Sequence, residues 1–129
     1  MLHELEENPG KKQKLGELGE ALAATYLSKG ELRVLHRNWH YKHKEIDIIA
    51  EDETFLIIVE VKTRKSPFSE PMEEVIPRKK QKFLIEAAEA YVIESGTEKE
   101  VRFDLVLVVI DEEHHSIEHI PEAFYPGIF

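Results

Sequence analysis

Two neighbouring segments, Glu45–Glu51 (EIDIIAE) and Phe55–Lys62 (FLIIVEVK), are largely apolar at both parities, and this constrains the fold more than any other feature of the chain. Side chains alternate between the two sides of a strand, so a strand with one wet face shows one apolar and one polar parity. Here Ile46, Ile48 and Ala50 form one face, with Asp47, Ile49 and Glu51 opposite. In the second segment Phe55, Ile57, Val59 and Val61 oppose Leu56, Ile58, Glu60 and Lys62. A short acidic turn, Asp52-Glu53-Thr54, joins them, so they read as a β-hairpin inside a sheet that helices cover on both sides.

The rest of the chain supplies that cover. A first helix is predicted from Lys14 to Lys29, with Leu15, Leu18, Leu22, Tyr26 and Ala23, Leu27 at helical spacing and Gly30 as its stop. Glu31–Tyr41 alternates imperfectly and suits a strand at the sheet margin, whereas Ser66–Ile76, with Pro67 and Pro71, reads as a loop. Pro77 then opens a second helix running to Ser95, which buries Phe83, Leu84, Ala87, Ala88, Tyr91 and Val92 and stops at Gly96. Val101–Ile110 and a short Ser116–Ile120 are the last strands. The order is α-β-β-β-α-β-β, an α/β or α+β sheet with helices packed on it. Residues 1–13 are read as a flexible N-terminal segment, broken at Pro9-Gly10, ahead of a single domain over 14–129. A chain of 129 residues buries about two thirds of its extended surface, enough for one core without staples.

There is no cysteine, which excludes a disulfide framework, a thiol nucleophile and a Cys-type metal site. No apolar run has the length of a membrane span and Met1–Lys12 has no apolar signal core, so a soluble, cytoplasmic protein is expected. The net charge of −9 argues at first sight against a nucleic-acid partner. The charges are segregated, however: Lys11–Lys44 holds eight basic residues against three acidic, Lys62–Lys82 seven against three, and Glu94–Glu122 two against nine. One basic face on an acidic protein can still meet a polyanion; ordinary solvated faces would look the same.

Three charges interrupt the apolar hairpin. With an even-numbered turn, Asp47 and Glu60 are neighbours on one face, and Lys62 follows Glu60 on that face at roughly 7 Å. Paired carboxylates in a partly dry site repel unless a cation separates them, and hard oxygen donors without thiolates point to Mg²⁺ or Mn²⁺. Glu20 lies on the helical stripe of Gly16, Ala23 and Leu27, which packs on the sheet, so a third carboxylate is expected nearby. Taken singly, each has an ordinary role: a first-turn glutamate, an edge aspartate, a structural ion pair with Lys62. Their conjunction is what points to a site.

Asp47, then Glu60-Val61-Lys62 thirteen residues on, with a helical glutamate upstream, resembles the PD-(D/E)xK signature of restriction-endonuclease-like nucleases, a superfamily that includes archaeal Holliday junction resolvases. Within it the chain is most similar to the YraN-like uncharacterised bacterial proteins. The shared pattern runs through Glu20, Ala23, Leu27 and Gly30, then Asn38, Lys44–Ile49 (KEIDII) and Val59–Arg64 (VEVKTR). It continues with Lys79 or Lys80, Ala87, Ala88 and Tyr91, then Arg102-Phe103-Asp104, His119 and Ala123-Phe124. Lys44 stands where that family usually has glycine. The resemblance implies a restriction-endonuclease-like fold, with a mixed central sheet of about five strands flanked by helices. It further implies a metal-dependent endonuclease-like protein hydrolysing phosphodiester bonds in DNA, including branched or damaged DNA. Asp47, Glu60 and the Val61 carbonyl would be metal ligands, Glu20 a further acidic ligand, and Lys62 the residue that orients or deprotonates the attacking water. Lys79 or Lys80 would contact phosphate. Lys44 and Arg64, with Lys42, Lys65, Arg78 and Lys82, would flank the site along the nucleic-acid backbone. A homodimer is the expectation by analogy with resolvases.

Other arrangements carry less. His36 and His40 lie roughly 13 Å apart on an extended chain, too far to share a metal directly. Trp39 and Tyr41 fit either edge packing or a base-stacking platform. Asp104 could support the site from a neighbouring strand, although an ion pair with a lysine is the simpler reading. There is no nucleophile elbow, P-loop or dinucleotide fingerprint. The alternative functions are a non-catalytic nucleic-acid-binding module that keeps the nuclease-like fold, and a structural protein in which Asp47, Glu60 and Lys62 form only a buried ion-pair network.

Overall fold

A computed structural model of the chain describes residues 9–127. The elements are α1 (Pro9–Lys29), β1 (Arg33–Tyr41), β2 (Lys44–Glu51), β3 (Phe55–Lys65), a single turn α2 (Met72–Val75), α3 (Arg78–Ser95), β4 (Glu100–Ile110) and β5 (His115–Phe124). The five strands form one mixed sheet in the order β1-β2-β3-β4-β5. Only β3 and β4 run parallel, and α3 supplies the crossover that a parallel pair requires. The apolar hairpin is thus β2–β3, second and third of five strands, as its two apolar parities demand.

Each face of the sheet has its own core. On one side Leu15, Ala23, Ala24 and Leu27 of α1 pack on Ile48, Ala50, Ile57, Val59, Val106 and Val108. On the other, Leu84, Ala87, Ala88 and Tyr91 of α3 pack on Ile46, Ile49, Leu56, Ile58, Phe103 and Leu105. α1 meets the sheet along a narrow line, Leu15-Gly19-Ala23-Leu27, because its small residues allow close approach. A Cβ on Gly19 would lie 1.8 Å from Thr63 Oγ1. This corrects the broader stripe expected from the sequence: Leu18 and Tyr26, one residue away on the helix wheel, are exposed. On α3, Phe83 and Val92 are only partly buried at the flanks of the stripe.

Boundaries differ where local signals were weak. α1 includes residues 9–13, while residues 1–8 of the expected N-terminal segment lie outside the described residues. The loop after β3 contains the turn α2, and Arg64 Nη2 lies 3.5 Å from Glu70 across the loop's base. β5 is twice the expected length, continuing through Pro121 to Phe124 by means of a bulge opposite Asp104. Pro121 sits on the sheet's edge strand, where a missing N–H is tolerated. Glu122, at φ 52°, turns its own N–H inward to Asp104 Oδ1 at 3.1 Å.

Candidate active site

The site arises where β2 and β3 part. Their ladder is regular from Glu51↔Leu56 to Ile48↔Val59, and the next pair in register would be Asp47 and Glu60. There the backbone pairing stops. Asp47 Oδ2 accepts the Val61 N–H at 2.8 Å, a side chain standing in for the ladder. β1 and β2 break at the same place: Arg37↔Ile48 and Trp39↔Ile46 pair, but Asn38, which would face Asp47, adopts φ 52°. Asparagine tolerates this left-handed region better than most residues.

The expected parity fails at this point. Ile46 packs in the α3-side core and Ile48 in the α1-side core, although two residues separate them. The chain pivots at Asp47, whose carboxyl reaches a cleft of about 420 Å³ lined by Lys12, Leu15, Gly16 and Glu20 of α1 and by Val61–Lys65 of β3. Asp47, Glu60 and Lys62 do come together, at the mouth of the fork rather than on one apolar face. Lys62 Nζ is 3.1 Å from Glu60 Oε2, and Lys80 Nζ approaches Oε1 from α3 at 3.9 Å. That approach is too long for a hydrogen bond, and Glu60 Oε1 is buried without a partner. Glu20 is half-buried beside them, held by Asn38 Nδ2 at 2.8 Å.

This crowding sets the electrostatics. Burial, then the Glu60 charge and its hydrogen bond, push the Asp47 carboxyl up to about 8, with a smaller push from Glu20 and an opposing pull from the Val61 N–H. Asp47 is thus held toward its neutral form beside Glu60. Among the described residues no three His, Asp or Glu side chains form a ready-made metal cage. Two neighbouring carboxyls, one with an oxygen that lacks a hydrogen-bond partner, nonetheless fit Mg²⁺, since that ion keeps several waters and needs only one or two protein carboxylates.

The remaining residues named from the sequence fall into two groups. Val61 and Arg64 line the cleft, and Arg64 Nη1 also reaches the Thr63 carbonyl at 3.2 Å. Lys44 lies on the α3 side of the fork, over the Phe83 ring at 5.5 Å. Of Lys79 and Lys80, it is Lys80 that reaches the site; Lys79 is exposed beside it. His36 packs edge-on against Tyr91 and His40 pairs with Glu45 at 3.3 Å, so neither joins the fork. Trp39 packs edge-on against the same Tyr91.

Asp104 does not pair with a lysine. It is fully buried, accepts two hydrogen bonds from Arg102 at 2.9 Å, meets His119 Nε2 at 2.7 Å and binds the Glu122 N–H. Burial would raise its pKa; the His119, Arg102 and Glu122 contacts outweigh that and hold it below the usual carboxylate range. Its partners tie β4 to the bulge of β5. Sequence reasoning missed the work of Asn38, whose only signal was its place in the family pattern. It also missed Lys12 in the cleft, for which the sequence has no signal.

The family model described as "Uncharacterised protein family UPF0102" matches residues 19–108, which span α1 from Gly19 to β4. A UPF0102 protein of Flavobacterium johnsoniae is 47% identical over 116 residues, covering 86% of this chain and 94% of that one. One from Parabacteroides distasonis is 44% identical over 111 residues, covering 86% and 92%. One from Chlorobium chlorochromatii is 41% identical over 123 residues, covering 91% and 95%. With a model that matches most of the chain and relatives aligned nearly end to end, the chain belongs to the YraN-like family UPF0102.

Proposed function

We propose that this protein is a divalent-metal-dependent phosphodiester hydrolase acting on DNA, with a restriction-endonuclease-like fold. The observation that carries the reading is the Asp47–Glu60 pair. At the end of the strand fork Glu60 is buried with one oxygen lacking a hydrogen-bond partner, and beside it Asp47, half-buried and pushed up to about 8, faces an open cleft. A purely structural ion-pair network would be expected to satisfy its buried oxygens.

Asp47 and Glu60, with the Val61 carbonyl, would hold Mg²⁺ or Mn²⁺, and Glu20 would add acidic character from α1. When bound, the ion supplies a more acidic water and neutralises charge developing on the phosphate. Lys62, paired with Glu60 at 3.1 Å, would be the residue placed to orient the attacking water or accept its proton. Asn38 fixes the Glu20 carboxylate, and the Val61 N–H fixes the Asp47 carboxylate, so neither must be ordered during reaction. Lys12, Arg64 and Lys65 on the cleft wall and Lys44 and Lys80 across the fork position the phosphate backbone without reading sequence.

The test is cleavage of branched, nicked and single-stranded DNA in Mg²⁺ and Mn²⁺ by wild type, Asp47→Ala and Lys62→Ala. Turnover by wild type that is lost in both variants supports the reading. DNA binding with no turnover by wild type on any substrate would replace it with the binding-module alternative.

A further inference from the structure

Across the fork from α1 lies a surface that phosphate binding alone does not use. Tyr41, the last residue of β1, and Phe83 of α3 have ring centroids 6.0 Å apart with planes inclined at 45°, and both are half-buried. Three lysines from three places surround them. Lys42, in the β1–β2 turn, stands over Tyr41 at 5.2 Å; Lys44, opening β2, and Lys80 of α3 stand over Phe83 at 5.5 and 5.2 Å. Lys80 also approaches Glu60 at 3.9 Å, which puts the Phe83 ring no more than about 9 Å from the Glu60 carboxylate.

Two features set this apart from lysine stems covering an apolar edge. The two-residue β1–β2 turn, with Lys42 at φ 55°, presents a lysine at a position where such turns commonly take glycine or asparagine. Lys42 and Lys44 are moreover exposed beside aromatic rings in a protein of net charge −9. A duplex keeps its bases stacked and offers lysines only phosphates. A strand with unpaired bases offers both phosphate and a flat π-face, the combination that rings capped by ammonium groups accept once those lysines turn from ring to phosphate.

We propose that Tyr41 and Phe83, with Lys42, Lys44 and Lys80, form a stacking platform for an unpaired base, so that the protein takes a single-stranded DNA segment across the Asp47–Glu60 fork. This rests on the hydrolase reading and specifies its substrate. The strand lays one base on the platform while the neighbouring phosphate reaches the carboxylates. Lys80 stands between the two.

The experiment measures binding of a labelled oligothymidylate, and of a duplex of the same length, to full-length Asp47→Asn protein in Mg²⁺ over a salt series. The platform predicts tighter binding of the single strand. It also predicts that Tyr41→Leu and Phe83→Leu each weaken single-strand binding by about 5- to 150-fold, the worth of stacking one base on one ring, with an unchanged salt slope. Lys42→Gln with Lys44→Gln, both at exposed positions, should lower the slope of log K against log salt by about 1.4 while leaving the melting temperature in place. If either aromatic variant fails to fold, the ratio of single-strand to duplex affinity of the parent protein decides the matter. Equal binding of both DNAs, or binding indifferent to the ring and lysine substitutions, overturns the platform and leaves the hydrolase reading standing. Binding of neither DNA, by Asp47→Asn or by wild type, overturns both.

Discussion

At the scale of single residues, the proposed function and stability pull apart at Asp47. A carboxyl pushed up to about 8 by burial and by Glu60 is a cost carried by the ion-free fold. Asparagine would keep an acceptor for the Val61 N–H and offer Glu60 a donor. Asp47→Asn should therefore stabilise the protein in EDTA by about 1–3 kcal/mol in urea unfolding. A less stable variant would mean that the pair is not in conflict. Asp104 is the opposite case. Its contacts hold its folded-state pKa below the unfolded value, so the stability it gives is complete above about pH 3.9 and is lost as pH falls through the lower folded value. Asp104→Asn should cost roughly 3 kcal/mol at neutral pH, because Arg102 keeps a charge that the amide does not balance. Below about pH 4, melting temperature should then fall more steeply for wild type than for the variant. Parallel acid limbs would show that the network contributes nothing pH-dependent.

At the scale of elements, the site depends on how closely α1 rides on β3. Gly19 leaves no room for a methyl group against Thr63, and this contact brings Gly16 and Glu20 to the cleft. Gly19→Ala should destabilise by about 1–3 kcal/mol through overpacking. Thr63→Ala should restore part of that loss, since it removes the nearest atom but leaves a Cβ at 2.9 Å; denaturation of the double variant checks it, and simple additivity would count against the contact. The same scale explains what was legible in the sequence. The β2–β3 hairpin and the meeting of Asp47, Glu60 and Lys62 could be read from apolar runs and turn length, which are local signals. The pivot at Asn38 and Asp47 was not legible, because one positive φ leaves no trace in an alternating pattern and reverses the faces of the residues beyond it. Nor was the Lys80–Glu60 approach, which depends on how α3 is rotated over the sheet. Leu18 and Tyr26 were misplaced because a glycine-lined approach narrows the buried stripe that hydrophobic spacing alone makes wide.

At the scale of the whole molecule, a chain of net charge −9 gathers basic residues on both banks of one acidic fork. Lys12, Lys62, Arg64 and Lys65 line the α1 side, and Lys42, Lys44 and Lys80 lie on the α3 side. The nine acidic residues of Glu94–Glu122 begin at the end of α3 and fall largely on β4, β5 and their turn. Charge is thus separated by the order of strands across the sheet, which is how an acidic protein can present a basic approach to a polyanion. Among the described residues, no helix is long and apolar enough to cross a membrane. The proposed hydrolase reading turns on the Asp47–Glu60 pair as a divalent-cation site. Calorimetric titration of Mn²⁺ and Mg²⁺ into wild type, Asp47→Ala and Glu60→Ala is the decisive measurement. One binding event is expected in wild type, absent from both variants although both remain folded. No binding to wild type even with a DNA oligomer present, or binding that survives both substitutions, would mean that the pair is not a cation site.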